Sequence, residues 1–204
     1  MTGAAFFDLD RTLLRGASGP VFSAALRAAG VSDREIPGES LLYGLFNLYG
    51  ETLPAMALAR QGARLAKGHS RAAVRAAATE VAPQLVAQVQ PFAAGVFEQH
   101  RDEGRPLVLA TTTPADLVEP FADLLGFDGV VATRYAVGAD GDTYTGGIDG
   151  RFTWSTGKLG AVGEYAAAHG VDLAESYAYS DSVYDAPLLN AVGHPVAVNP
   201  DPRL

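Results

Sequence analysis

Phe6-Phe7-Asp8-Leu9-Asp10-Arg11-Thr12-Leu13-Leu14 is the stretch on which the fold turns. Preceded by Ala4 and Ala5, it opens as a short apolar run and stops at acidic, turn-forming residues, the pattern of a buried parallel strand running into a functional loop. The pattern recurs at 106–111 (PLVLAT), 176–181 (SYAYSD) and 194–199 (HPVAVN). Helical stretches fall between these runs, at 115–125, 157–169 and 183–191. Such alternation predicts an α/β fold with a Rossmann-like, doubly wound, mostly parallel sheet, whose ligands sit beyond the carboxyl ends of the strands.

One region breaks the alternation. From about residue 18 to 103 the chain reads as consecutive helices (19–30, 39–50, 53–67 and 70–88) with no convincing strand, as expected of a helical cap inserted into the core. The division expected is a core of 1–16 and 91–204 and a cap of 17–90, with residues 91–103 returning the chain to the sheet as a helix. After the strand-like 128–134, a Gly/Asp turn at 138–142 between β-prone flanks predicts a hairpin.

Composition narrows the chemistry. A chain of 204 residues can bury a substantial core without staples, and 48% hydrophobic with 19% charged residues suits a folded globular protein. The net charge of -8 argues against a nucleic-acid partner, because duplex binding needs a basic footprint. With no cysteine there are neither disulfides nor thiolate metal sites. A metal must be held by oxygen, since His69, His100, His169 and His194 show no ligand spacing. The most apolar segment, 41–50, is too short to cross a membrane, and Met1 to Ala5 lacks a basic leader, so no integral membrane segment and a cytoplasmic location are expected. The ending at NPDPRL, directly after a strand, leaves room for a larger parent protein.

Asp8 and Asp10, two apart at a strand end, reach one site only if the chain leaves the regular pleat there. Two carboxylates this close raise each other's pKa unless a cation or shared proton relieves them. In a functional reading Asp8 is a nucleophile and metal ligand, and Asp10 is the acid and then the base; a solvated acidic turn is the plain alternative. Asp181 and Asp185 form a second pair after another apolar run, where one helical turn would place both on one side. Asp181 completes an oxygen-only magnesium site with Asp8, and Asp185 acts through water or orients the site, unless the segment merely caps a helix. Thr111 and Thr112, before Pro114 and a helix start, offer a hydroxyl and an amide to phosphate oxygens. Lys158 sits at a helix start, against the macrodipole, which an anion beside it would explain.

DLDRT (8–12), the hydroxyl of Thr111 after LVLA, Lys158 and SDSVYD (180–185) resemble, in order, the four motifs of the haloacid dehalogenase superfamily. The long helical insert resembles its subclass I cap. The hairpin and the SDSVYDAPLL…PVAVNPD ending are most similar to subfamily IB, the phosphoserine phosphatase-like hydrolases. The resemblance implies a phosphoric monoester hydrolase in which Asp8 forms an aspartyl-phosphate and Asp10 is the acid/base. It also implies phosphate on Thr111 and Lys158, and magnesium on Asp8, the Asp10 carbonyl and Asp181. Thr111-Thr112-Thr113-Pro114 replaces the Ser-Gly-Gly of phosphoserine phosphatases, and Ser180 stands in place of the commoner glycine, so phosphoserine itself is not implied.

A small phosphorylated metabolite is the expected partner. A phosphotransferase or mutase shares the same intermediate, and a weakly active regulatory domain of a larger, acyltransferase-type lipid-metabolic protein is the reading from another class. The intact set of Asp8, Asp10, Thr111, Lys158 and Asp181 favours an active enzyme. Candidate substrate contacts are Arg15, Glu39, Tyr43, Asn47, Tyr49, Arg60 and Arg64.

Overall fold

The computed structural model describes residues 2–31 and 53–204. Its strands are β1 (Ala5–Phe7), β2 (Leu107–Pro114), β3 (Gly129–Val137), β4 (Tyr144–Asp149), β5 (Tyr177–Ser180) and β6 (His194–Ala197), and they form one sheet in the order β4-β3-β2-β1-β5-β6. All pairings are parallel except β3 with β4, which is the hairpin expected around 138–142. The chain fills one side of β1 with β2 and β3 and then crosses to the other side with β5 and β6. The strand order therefore reverses at β1, where such sheets bind ligands.

Both faces of the sheet are covered, so β1 is apolar throughout rather than alternating. Ala5, Phe7, Leu107, Leu109 and Tyr179 point to one face and pack against Phe22, Ala82, Leu85, Phe97, Val118 and Phe121. Ala4, Phe6, Val108, Ala110 and Ala178 point to the other, against Val162, Leu188 and Leu189. Each fully buried Phe contributes about 2–3 kcal/mol of transfer free energy.

The helices of the first face are α1 (Gly19–Ala28), α3 (Arg71–Val86), α4 (Phe92–Asp102) and α5 (Ala115–Leu125), while α2 (Leu53–Leu65) packs on β4. The opposite face carries α6 (Thr156–His169) and the short α7 (Ala186–Leu189). The expected helix 39–50 lies outside the described residues.

Helix α3 joins α5 through charge as well as apolar contact. Buried Asp116 accepts hydrogen bonds from Arg71 Nε at 2.8 Å and Tyr144 Oη at 2.8 Å. Arg75 pairs with both Asp116 and Glu119. The hairpin tip holds the link into α3: Arg71 N donates to Asp142 O at 2.8 Å and Ala72 N to Asp142 Oδ1 at 2.7 Å. Pro114 lies at the boundary before α5, with ψ of 136°.

Candidate active site

Register brings three chain segments to one edge of the sheet. Phe7 lies opposite Leu109 on β2 and Tyr179 on β5, so Asp8 and Asp181 emerge just past β1 and β5 beside Thr111, two residues beyond Leu109 in β2. The Asp8 amide still donates to Tyr179 O at 3.0 Å. Beneath it Phe7 stacks on Tyr179 with centroids 4.5 Å apart, and Tyr179 Oη lies 2.8 Å from Nε2 of buried His100. Burial pushes His100 down and Tyr179 up to about 12, which keeps this aromatic floor neutral.

The pleat is abandoned directly after Asp8, as the two-residue spacing required. Leu9–Leu13 form a tight irregular turn closed by Leu14 N to Leu9 O at 2.9 Å. Arg11 within it has φ of 62°, a left-handed conformation costly for a residue with a Cβ. The side-chain amides of Gln90 and Asn199 donate to its carbonyl at 3.3 and 3.4 Å and hold it there. Asp10 Oδ1 accepts from Ser18 N at 2.6 Å. Burial raises its carboxyl above the ordinary range, against the opposing pull of the Ser18 hydrogen bonds.

Lys158 ties the first acidic pair to the second. Its Nζ lies 2.9 Å from Asp8 Oδ1 and 2.6 Å from Asp185 Oδ2, with the lysine only 1% exposed. Ser180 Oγ donates to the same Asp185 oxygen at 2.7 Å. Helix α6 can start here because Gly157 lies against the Phe152 carbonyl, where an added Cβ would be 2.2 Å from the oxygen. Burial raises Asp8 to about 6; Lys158 opposes this rise and Asp185 adds to it.

Asp181, 3% exposed, belongs to a different set of contacts. Thr12 Oγ1 donates to its Oδ1 at 3.3 Å and accepts its amide at 2.9 Å, and Arg11 Nε lies 3.0 Å from Oδ2. The segment after Asp181 is a 3-10 turn, Val183–Asp185, followed by α7. Asp185 is thus turned to Lys158 and Asp181 to Arg11, instead of sharing one face of an α-helical turn. Asp201, unremarked in the sequence reading, clamps this loop. Its amide donates to Asp181 O at 2.8 Å, and its Oδ2 accepts from Val183 N at 3.2 Å and from Arg203 Nη2 at 3.0 Å. The Asp-Pro-Arg order is an Asx-turn signature that could have flagged it.

Thr111, 2% exposed, accepts the Thr113 amide at 3.2 Å, and the Thr112 hydroxyl is spent on Thr153 O at 2.8 Å. Among the candidate substrate contacts, Arg60 lies 5.8 Å over the Phe152 ring, and Arg15 and Arg64 are exposed. Glu39, Tyr43, Asn47 and Tyr49 lie outside the described residues. Among the described residues no three acidic or histidine side chains form a ready-made metal cluster, so a cation here needs backbone oxygen as well. The donor chemistry fits a hard cation. All the ligands offered are oxygens, Asp185 Oδ1 is buried with no hydrogen-bond partner, and among the described residues four carboxyl groups (Asp8, Asp10, Asp181, Asp185) meet two cations (Lys158, Arg11), so acidic groups outnumber basic ones.

A haloacid dehalogenase-like hydrolase model matches residues 5–190, a span reaching from β1 to the residue after α7. The chain belongs to that family. It is 37% identical over 204 residues to an inhibition of morphological differentiation protein of Streptomyces azureus, covering 98% of this chain and 73% of that one. It is 34% identical to a phosphoserine phosphatase of Mycobacterium tuberculosis, covering 100% and 67%. A crystal structure of a protein of unknown function from Bordetella pertussis superposes with a TM-score of 0.78 at 31% identity, covering 99% and 92%. A substrate-bound phosphoserine phosphatase shares the fold at a TM-score of 0.64 and 18% identity, covering 99% and 88%. The hydrolase family and the Mycobacterium tuberculosis phosphatase agree with the phosphoric monoester hydrolase expected from the sequence. No helix among the described residues is long and apolar enough to cross a membrane.

Proposed function

We propose that this member of the family is a magnesium-dependent phosphatase that hydrolyses a small phosphate monoester by way of a phosphoaspartate on Asp8. The observation that carries the reading is the seat of Asp8. It is a carboxylate at the reversal point of the sheet, its side chain 11% exposed, with Oδ1 held by Lys158. The carboxylate attacks phosphorus, the P–O bond to the substrate's alcohol breaks, and Asp10 gives that oxygen its proton. Asp10 suits the task because burial makes it a weaker acid than an ordinary aspartate. It then takes a proton from the water that attacks the phosphoaspartate, which regenerates Asp8 and releases phosphate.

Lys158 and Thr111 orient the phosphate oxygens, and Thr112 contributes its amide. Asp185 and Ser180 fix the lysine. Magnesium would be held by Asp8, the Asp10 carbonyl and Asp181, and when bound it supplies the positive charge that lets a carboxylate approach an anionic ester. Residues 17–90 serve as the cap that selects the leaving group, and the enzyme works in the cytoplasm on a phosphorylated metabolite. The similarity to a phosphoserine phosphatase supports the reaction class, while Thr111-Thr112-Thr113 in place of Ser-Gly-Gly means that the reading does not extend to phosphoserine itself. The test is magnesium-dependent hydrolysis of an aryl phosphate by the wild type and its loss in Asp8→Asn; undiminished activity in that variant would refute the proposal.

A further inference from the structure

We infer that Arg11 and the divalent cation compete for Asp181, so that Arg11 sets how tightly the site takes its metal. The inference rests on the magnesium reading above. Its basis is the way both carboxylate oxygens of Asp181 are engaged: Arg11 Nε lies 3.0 Å from Oδ2, and Thr12 Oγ1 lies 3.3 Å from Oδ1. Asp181 is 3% exposed and the Arg11 side chain 16%, so little water stands by to screen one charge from another.

The arginine is held to this task by its backbone. Its left-handed φ of 62° is fixed from outside the turn by the amides of Gln90 and Asn199 on its carbonyl. Its own amide donates to Gly16 O at 3.3 Å. A residue locked in a sparsely populated conformation, with its guanidinium on one of the proposed ligands, is a built feature rather than a loose surface cation.

A hard cation binds carboxylate oxygen at about 2.0–2.1 Å, closer than a guanidinium, and two positive centres on one carboxylate repel strongly where the dielectric is low. Each therefore weakens the other. Removing Arg11 takes away one of the cations paired with this acidic cluster, and the pull on a divalent ion grows. The opposite possibility is that Arg11 buttresses Asp181 in its binding pose. Removing it would then lower metal affinity, so the sign of the effect separates the two.

Mn2+ serves as the probe, titrated into the substrate-free protein and followed by the electron paramagnetic resonance of the free ion. Arg11→Gln should bind Mn2+ roughly tenfold tighter than the wild type. In EDTA it should also melt lower, because the acidic cluster loses a partner, with a correspondingly larger rise on adding the ion. Arg11→Lys, which keeps the charge and is the safer variant to fold, should fall between them. Affinity that is equal or weaker in both variants, beside clear binding by the wild type, overturns the role of Arg11 and leaves the metal reading standing. Absence of binding in the wild type and both variants removes the metal reading and this inference together.

Discussion

Lys158 Nζ stands 2.9 Å from Asp8 Oδ1, across 150 residues of chain. The contact joins the start of α6 to the end of β1, and it places the buried ammonium between the proposed nucleophile and Asp185. Lys158→Met leaves buried carboxylates without their cation. It should cost about 3–5 kcal/mol in urea denaturation and about 10²–10³ in kcat. Adding Asp185→Leu should restore much of the stability and none of the turnover. A single variant as stable as the wild type would contradict this account of the pair.

Asp8→Asn should move activity and stability in opposite directions. Burial raises the folded pKa of Asp8 to about 6 from an ordinary 3.8, so the folded protein holds this proton more firmly than the unfolded chain does. In EDTA, the stability due to Asp8 is complete below pH 3.8, falls as pH rises through about 6, and is level above it. Asn carries no such penalty. The variant should lose hydrolysis by at least about three orders of magnitude and yet melt higher than the wild type at pH 8 in EDTA, a gain the wild type should approach on acidification to pH 4.

Asp201 acts on the site through the Asp181 loop. Asp201→Ala removes acceptors for Val183 N and Arg203 and should cost about 2 kcal/mol. It should also raise the magnesium concentration needed for half-maximal activity more than it lowers kcat at saturation. Its hydrogen bonds lower the folded pKa against the opposing effect of burial, so its contribution is present above pH 3.8 and lost as pH falls through a lower value. An unchanged magnesium requirement would confine Asp201 to a purely structural role.

Tyr144→Phe removes one hydrogen bond to Asp116, and Asp116→Ala leaves Arg71 and Arg75 without their buried partner. Losses of about 1 and about 3 kcal/mol are expected, respectively. Hydrogen exchange should quicken in α3 and at the hairpin tip for Asp116→Ala, while β1 keeps its protection. Uniform loss of protection would show that α3 does not open separately from the sheet.

Much of the architecture was legible because the strands are buried on both faces and so appear as short continuous apolar runs with polar stops. The runs at 106–111, 176–181 and 194–199 became β2, β5 and β6, and the Gly/Asp turn became the β3–β4 hairpin. The joining of α3 to α5 was not legible. Nothing in the local sequence marks Arg71 and Arg75, and only the approach of α5 and Tyr144 turns them into partners of a buried aspartate. Asp185 and Asp181 read as one helical turn, whereas a 3-10 segment sends them to different partners.

The sequence by itself determined which chemistry this protein carries. Two acidic pairs, a threonine and a lysine at ordered strand and helix ends are local facts, fixed by residue type and by where apolar runs stop. The tertiary structure alone decided how those charges are shared. Lys158 goes to Asp8 and Asp185, Arg11 to Asp181, and Asp201 to the loop between them. Ion pairing depends on distances of a few ångströms between segments far apart in the chain. Those distances are set by sheet register and by the left-handed turn at Arg11, which no spacing within the chain encodes.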